Sequence, residues 1–162
     1  KIGAPFGDIL NDLGIGDQLE EIEPIFRTES MKALHKANFF PEVEETLLLL
    51  VECRIKLGVV TSKDKFRTNA VLAQLPVTFV TIQTPEDKYR GKPAPDHLLI
   101  AMAEANADPC DTVYMGDMDA DFHAAHRADI RYAHAAWGYG DTPEGQRLVL
   151  NKFSEIIKVM ES

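Results

Sequence analysis

No apolar run in this chain approaches the length of a membrane span. The longest, residues 46–51 (TLLLLV), falls far short of the roughly 20 residues a transmembrane helix needs. Cysteine is scarce as well. Cys53 and Cys110 stand at no metal-binding or redox spacing, which argues against a zinc framework or a disulfide scaffold. They read as buried, reduced thiols of a cytoplasmic protein. Positive charge is in deficit, with 17 Lys and Arg against 26 Asp and Glu and a net charge of −9. A surface for nucleic acid or anionic membrane is therefore not expected, and an anionic ligand would need a local cation and a lysine to offset the general field. Internal repeats, low-complexity linkers and a leader pattern are also missing from the sequence.

What is present suits one globular unit of ordinary composition, since 162 residues can bury a real core. Two helical stretches come first. Residues 2–13 carry Phe6, Ile9, Leu10 and Leu13 on one stripe behind Pro5, and end at Gly14. Residues 17–36 repeat Leu19, Ile22, Ile25, Phe26 and Leu34 at helical spacing, with Pro24 placed to kink or divide them. From Phe39 the pattern changes. Helices are expected over 42–53, 64–75, 96–105 and 119–128, and strands over 56–61, 77–82, 113–115 and 131–135. Residues 146–160 read as helix, with a break near Asn151. Such alternation predicts a parallel sheet covered by helices on both faces, a Rossmann-like three-layer α/β/α core. Residues 1–38 would form a partial helical cap and residues 39–162 the core.

The chemistry concentrates at strand ends. The stretch 111–125 (DTVYMGDMDADFHAA) ends a short apolar run at Gly116 and then places Asp117, Asp119 and Asp121 within five residues. Ligands bind at that edge of open α/β sheets. Clustered carboxylates repel unless a cation or hydrogen bonds offset them. Two readings are open: a Mg²⁺ site for phosphate chemistry, since hard cations suit carboxylate oxygens, or an acidic turn capping the next helix. Three other pieces end strands or stiffen loops: Val59–Lys63 (VVTSK), Arg90–Asp96 (RGKPAPD) and the loop Trp137-Gly138-Tyr139-Gly140. Parallel strands would bring Thr61, Lys92 and the aspartates to one edge, where a hydroxyl, an ammonium and a divalent cation can hold a phosphoryl group.

This combination resembles the haloacid dehalogenase-like hydrolase superfamily, and within it the phosphoglycolate phosphatase type. Val59–Lys63 is similar to its second motif, Gly91–Asp96 (GKPAPD) to its third and Gly116–Asp121 (GD-x3-D) to its fourth. The resemblance implies that Thr61, with Ser62 and Lys92, binds the substrate phosphate, and that Thr61 and Lys92 act in catalysis. It implies that Asp117 is a Mg²⁺ ligand and that Asp121 completes or orients the metal shell. The activity implied is a Mg²⁺-dependent phosphatase acting on a small phosphorylated metabolite through an aspartyl-phosphate. The alternatives are a sugar phosphomutase of the same superfamily, or a non-catalytic relative that binds a phosphometabolite or a partner.

One departure stands out. The first family motif, D-x-D-G-T/V behind an apolar strand, is absent. It would supply the nucleophile and the middle strand of the sheet. Without that strand, both neighbours keep unpaired backbone groups, at about 1–3 kcal/mol for each buried one, against a total stability of about 5–15 kcal/mol. A segment upstream of Lys1, or a separate chain, is therefore expected to complete the sheet, and the chain alone to be inactive. A smaller departure is Asp129, where the family has the glycine of a helix end; Asp tolerates the left-handed conformation better than most residues. Asp119 reads as a solvent-facing acid. His123 and His126 lack a third ligand at zinc spacing. Trp137 and Tyr139 are expected to pack the C-terminal loop.

Overall fold

A computed structural model describes residues 6–34, 38–85 and 88–161. The expected helical positions 2–5, 35 and 36 lie outside them. The chain opens with α1 (Phe6–Asp12), a 3-10 turn (Gly16–Gln18) and α2 (Leu19–Leu34). Pro24 does not divide the sequence into two helices, because α2 runs through it. It lies near the N-terminal end, and the Thr28 hydroxyl donates to its carbonyl at 2.9 Å. These helices bury little beyond Leu10. They are held instead by rings: Phe6 stacks on Phe26 at 4.0 Å, and the Arg67 guanidinium lies over Phe26 at 4.8 Å.

Next come α3 (Val43–Glu52), β1 (Gly58–Val60), α4 (Lys65–Leu72), β2 (Thr81–Gln83), α5 (Asp96–Ala105), β3 (Val113–Gly116), α6 (Asp119–Arg127) and β4 (Arg131–Ala135). Every strand pair is parallel. β1 pairs with β2, with Gly58 opposite Thr81; β3 pairs with β4, with Val113 opposite Arg131. The expected α/β class is the one observed. The strands are shorter than expected, and β2 begins only at Thr81, where β1 begins to offer partners.

Alternation along β4 separates two cores. Tyr132 joins Leu98, Met102, Ala124, Ala125, Ala128 and Ile130 on one face. Its neighbour Ala133 joins Leu50, Leu150, Ile156 and Val159 on the other. Helices therefore cover both faces. No ladder joins β1 to β3 among the described residues. The link between them runs through a side chain, since the Tyr114 hydroxyl approaches the Val60 carbonyl at 3.2 Å.

Three expectations change. Residues 146–160 are helical only after the expected break near Asn151. They give β5 (Val149–Leu150), a 3-10 turn (Phe153–Glu155) and the short α7 (Ile156–Met160). The free edge of β4 captures the segment: His134 N–H donates to the Leu148 carbonyl and Ala136 N–H to Leu150, each at 2.9 Å. The cysteines are exposed rather than buried, because Cys53 caps α3 and Cys110 lies in the turn before β3. Val51, which helical spacing in the sequence groups with Leu47 and Leu50 on one packed face, is 45% exposed while those two leucines are buried.

Local signals at helix ends are met. Asp129 takes φ 57°, and the N–H groups of Asp129 and Ile130 bond the His126 and Ala125 carbonyls, the Schellman arrangement. Asp64 caps α4 by accepting from the Arg67 N–H at 2.9 Å. Burial pushes the Asp64 pKa up, but the Arg67 amide and guanidinium together outweigh it and hold the carboxyl below its ordinary value. A depressed folded pKa contributes stability that is full above the unfolded value and lost as pH falls through the folded one. Asp64→Asn, which keeps the cap, is therefore expected to flatten the loss of stability below about pH 4. The effect is modest, since the Asp64 side chain is 34% exposed. Urea midpoints measured from pH 5 to pH 2 would show it; slopes identical to the parent would refute it.

Candidate active site

The C-terminal ends of β1 and β3 open into one cavity of about 570 Å³. Thr61, Ser62, Lys92, Asp117 and Asp121 all line it, so every site residue expected from the sequence reaches a single place. Thr61 leaves β1 with its N–H on the Gln83 carbonyl at 3.0 Å. Its hydroxyl oxygen accepts from the Lys63 N–H at 3.1 Å, which leaves the hydroxyl proton free to donate. The loop before α5 is pinned by Arg90 to Asp96 at 2.8 Å and by Arg127 to the Pro93 carbonyl at 2.7 Å.

Lys92 is nearly buried, with its side chain 12% exposed. Its ammonium donates to Asp121 Oδ1 at 2.6 Å and to the Tyr114 hydroxyl at 3.0 Å. Two of its three N–H donors are thus engaged. Tyr114 escaped the sequence reading, although its alternate position in β3 puts it on the face opposite Val113 and Met115. Burial, then the Asp121 charge, pushes the Tyr114 pKa well up, so the phenol stays protonated and can donate to Asp121 at 3.0 Å.

The three aspartates divide their work. Asp121 has both oxygens committed: Oδ1 to Lys92 and Tyr114, Oδ2 to the N–H groups of Asp117 and Met118 at 3.2 and 3.0 Å. These bonds tie Lys92, Tyr114 and the turn before α6 together through Asp121. Gly116 is required beneath it, since a Cβ there would come within 2.6 Å of the Asp121 side chain. Asp119 is 77% exposed beside His123 at 3.3 Å, and so faces solvent. Asp117 accepts from the Tyr139 N–H at 2.8 Å through Oδ2, and its Oδ1 carries no hydrogen bond among the described residues. The two readings of this acidic stretch are therefore divided between residues, with Asp121 capping α6 and Asp117 holding an oxygen in reserve.

The loop 137–140 meets its expected packing only in part. Trp137 packs edge-on to Phe40 and Phe153 as expected. The Tyr139 ring, expected to pack, is 79% exposed, and it is the backbone that matters. A Cβ on Gly138 would run into the Asp117 side chain, and one on Gly140 into the Asp117 carbonyl oxygen. The Gly-x-Gly spacing was the available signal.

A hard divalent cation fits what is present, because Asp117 offers an unengaged carboxylate oxygen to the cavity and no thiol or imidazole lines it among the described residues. No group of three or more His, Cys, Asp or Glu converges among the described residues, so Asp117 can supply one corner of a shell.

The haloacid dehalogenase-like hydrolase family model matches residues 1–135. The chain belongs to this family. Within the haloacid dehalogenase-like hydrolases it is 33% identical over 105 residues to the pyrophosphatase PpaX of Oceanobacillus iheyensis, covering 64% of this chain and 49% of that protein. It is 29% identical over 129 residues to the phosphoglycolate phosphatase of Aquifex aeolicus, covering 76% and 59%. The chain thus spans between about half and three-fifths of these two relatives' lengths. The fold matches a crystal structure of a Lactobacillus plantarum protein described as a phosphoglycolate phosphatase, with a TM-score of 0.85, 19% identity, and coverage of 98% of this chain and 79% of that one.

Proposed function

We propose that this chain is the larger part of a Mg²⁺-dependent phosphatase for small phosphorylated metabolites. The observation that carries this reading is the meeting of Thr61, Lys92 and Asp117 at one cavity between two parallel sheet fragments. The relatives named as a pyrophosphatase and a phosphoglycolate phosphatase support it.

In this reading the Thr61 hydroxyl donates to a phosphoryl oxygen. The third N–H of Lys92 binds a second oxygen and offsets its charge, while Asp121 and Tyr114 keep the ammonium in place. Asp117 would hold Mg²⁺ through Oδ1; bound there, the ion stabilises charge on the transferring phosphoryl group. The nucleophile in this reading is an aspartate on a further strand entering between β1 and β3, which no ladder joins among the described residues. Its carboxylate attacks phosphorus, the bond from phosphorus to the leaving oxygen breaks, and water then hydrolyses the aspartyl-phosphate. A cytoplasmic location accords with free thiols at the surface.

The protein at its native length is expected to release phenolate from a generic aryl phosphate in Mg²⁺ and to stop in excess EDTA. Hydrolysis unaffected by EDTA would refute the reading.

A further inference from the structure

The backbone around Tyr139 does more than close a loop. Its N–H sits 2.8 Å from Asp117 Oδ2. Gly138 turns back through its own N–H to the Ala135 carbonyl at 3.0 Å, and the missing side chains of Gly138 and Gly140 leave room for the backbone to lie against Asp117. The anchor is rigid, since Trp137 is wedged between Phe40 and Phe153 at 6.4 Å from each ring. A hydrogen bond from an amide to an ionised carboxylate is of the strong, charge-assisted kind. One oxygen of Asp117 therefore already carries a protein donor before any cation arrives.

We propose that the Tyr139 amide makes Asp117 a one-oxygen ligand and so selects Mg²⁺ over Ca²⁺. The inference rests on Asp117 being the metal ligand of the function proposed above. Mg²⁺ demands a compact octahedron at about 2.0–2.1 Å and takes carboxylates by single oxygens, whereas Ca²⁺ takes 6–8 oxygens at about 2.3–2.6 Å and gains from carboxylates that give both. A fixed amide on Oδ2 competes with Ca²⁺ for the second oxygen and costs Mg²⁺, which takes Oδ1 alone, nothing. The loop 137–140 is thus a positioning element that acts through Asp117.

The test is a binding measurement on the native-length protein: displacement of Mn²⁺, followed by its paramagnetic resonance signal, with Mg²⁺ and with Ca²⁺. Tyr139→Pro deletes the N–H, and Tyr139→Ala keeps it while removing the exposed ring. Tyr139→Pro is expected to lower the Mg²⁺-to-Ca²⁺ affinity ratio about tenfold, in keeping with the loss of one charge-assisted bond, and Tyr139→Ala to leave the ratio at the parent value. Gly138→Ala, which forces the loop off Asp117, should lower the ratio as the proline does, so the proposal remains testable if the proline variant does not fold. An unchanged ratio in Tyr139→Pro and Gly138→Ala, or an equal fall in Tyr139→Ala, would overturn the proposal while leaving the metal reading intact. A parent protein that binds none of these ions would overturn both.

Discussion

Asp117→Asn is expected to lower kcat/KM for an aryl phosphate in Mg²⁺ by about 10²–10³-fold or more, the scale lost when one preorganised electrostatic contact to a transferring group is removed. The melting temperature should hardly move, for a reason visible in the geometry. The Asp117 side chain makes one hydrogen bond among the described residues, from the Tyr139 N–H to Oδ2, and an amide oxygen can accept that bond equally well. The asparagine that keeps it must turn its NH₂ toward the position of Oδ1, so a donor replaces the acceptor a cation needs. The pattern to look for is lost activity with retained stability. Full activity in this variant would refute the assignment of Asp117.

Lys92→Met is expected to lose both. The ammonium is the counter-charge of Asp121, and the two side chains are only 12% and 6% exposed. Removing one partner of a buried pair costs about 3–5 kcal/mol because the other charge is stranded. That is a large part of a typical domain's stability of about 5–15 kcal/mol, so the denaturation midpoint should fall steeply. Adding Asp121→Asn removes the stranded charge and keeps an oxygen to accept from the Asp117 and Met118 N–H groups. The double variant should therefore regain most of the lost stability and none of the activity. Recovered activity would place Lys92 outside the phosphoryl site, and a single variant as stable as the parent would contradict the buried pair.

The sequence by itself determined what depends on neighbours in the chain. Hydrophobic period and turn residues located most of the helices and strands, because helix ends are set by local chemistry: Asp64 caps α4, and Asp129 takes the left-handed turn after α6. The GKPAPD and GD-x3-D pieces were legible because each is a short run whose backbone path is constrained locally. Parallel topology then carried Thr61, Lys92 and Asp117 to one edge.

Tertiary structure decided what depends on partners far along the chain. Residues 146–160 carry enough apolar spacing for a helix, but over their first part the open edge of β4 supplied hydrogen bonds that a local pattern cannot register. The ranking of the aspartates was of the same kind. Asp117 and Asp121 are alike as residues; they differ because Lys92, 29 positions away, and Tyr114 fill the oxygens of one, while an amide 22 positions away takes half of the other. A carboxylate's role is set by which of its lone pairs remain unengaged, and that follows from packing rather than from spacing.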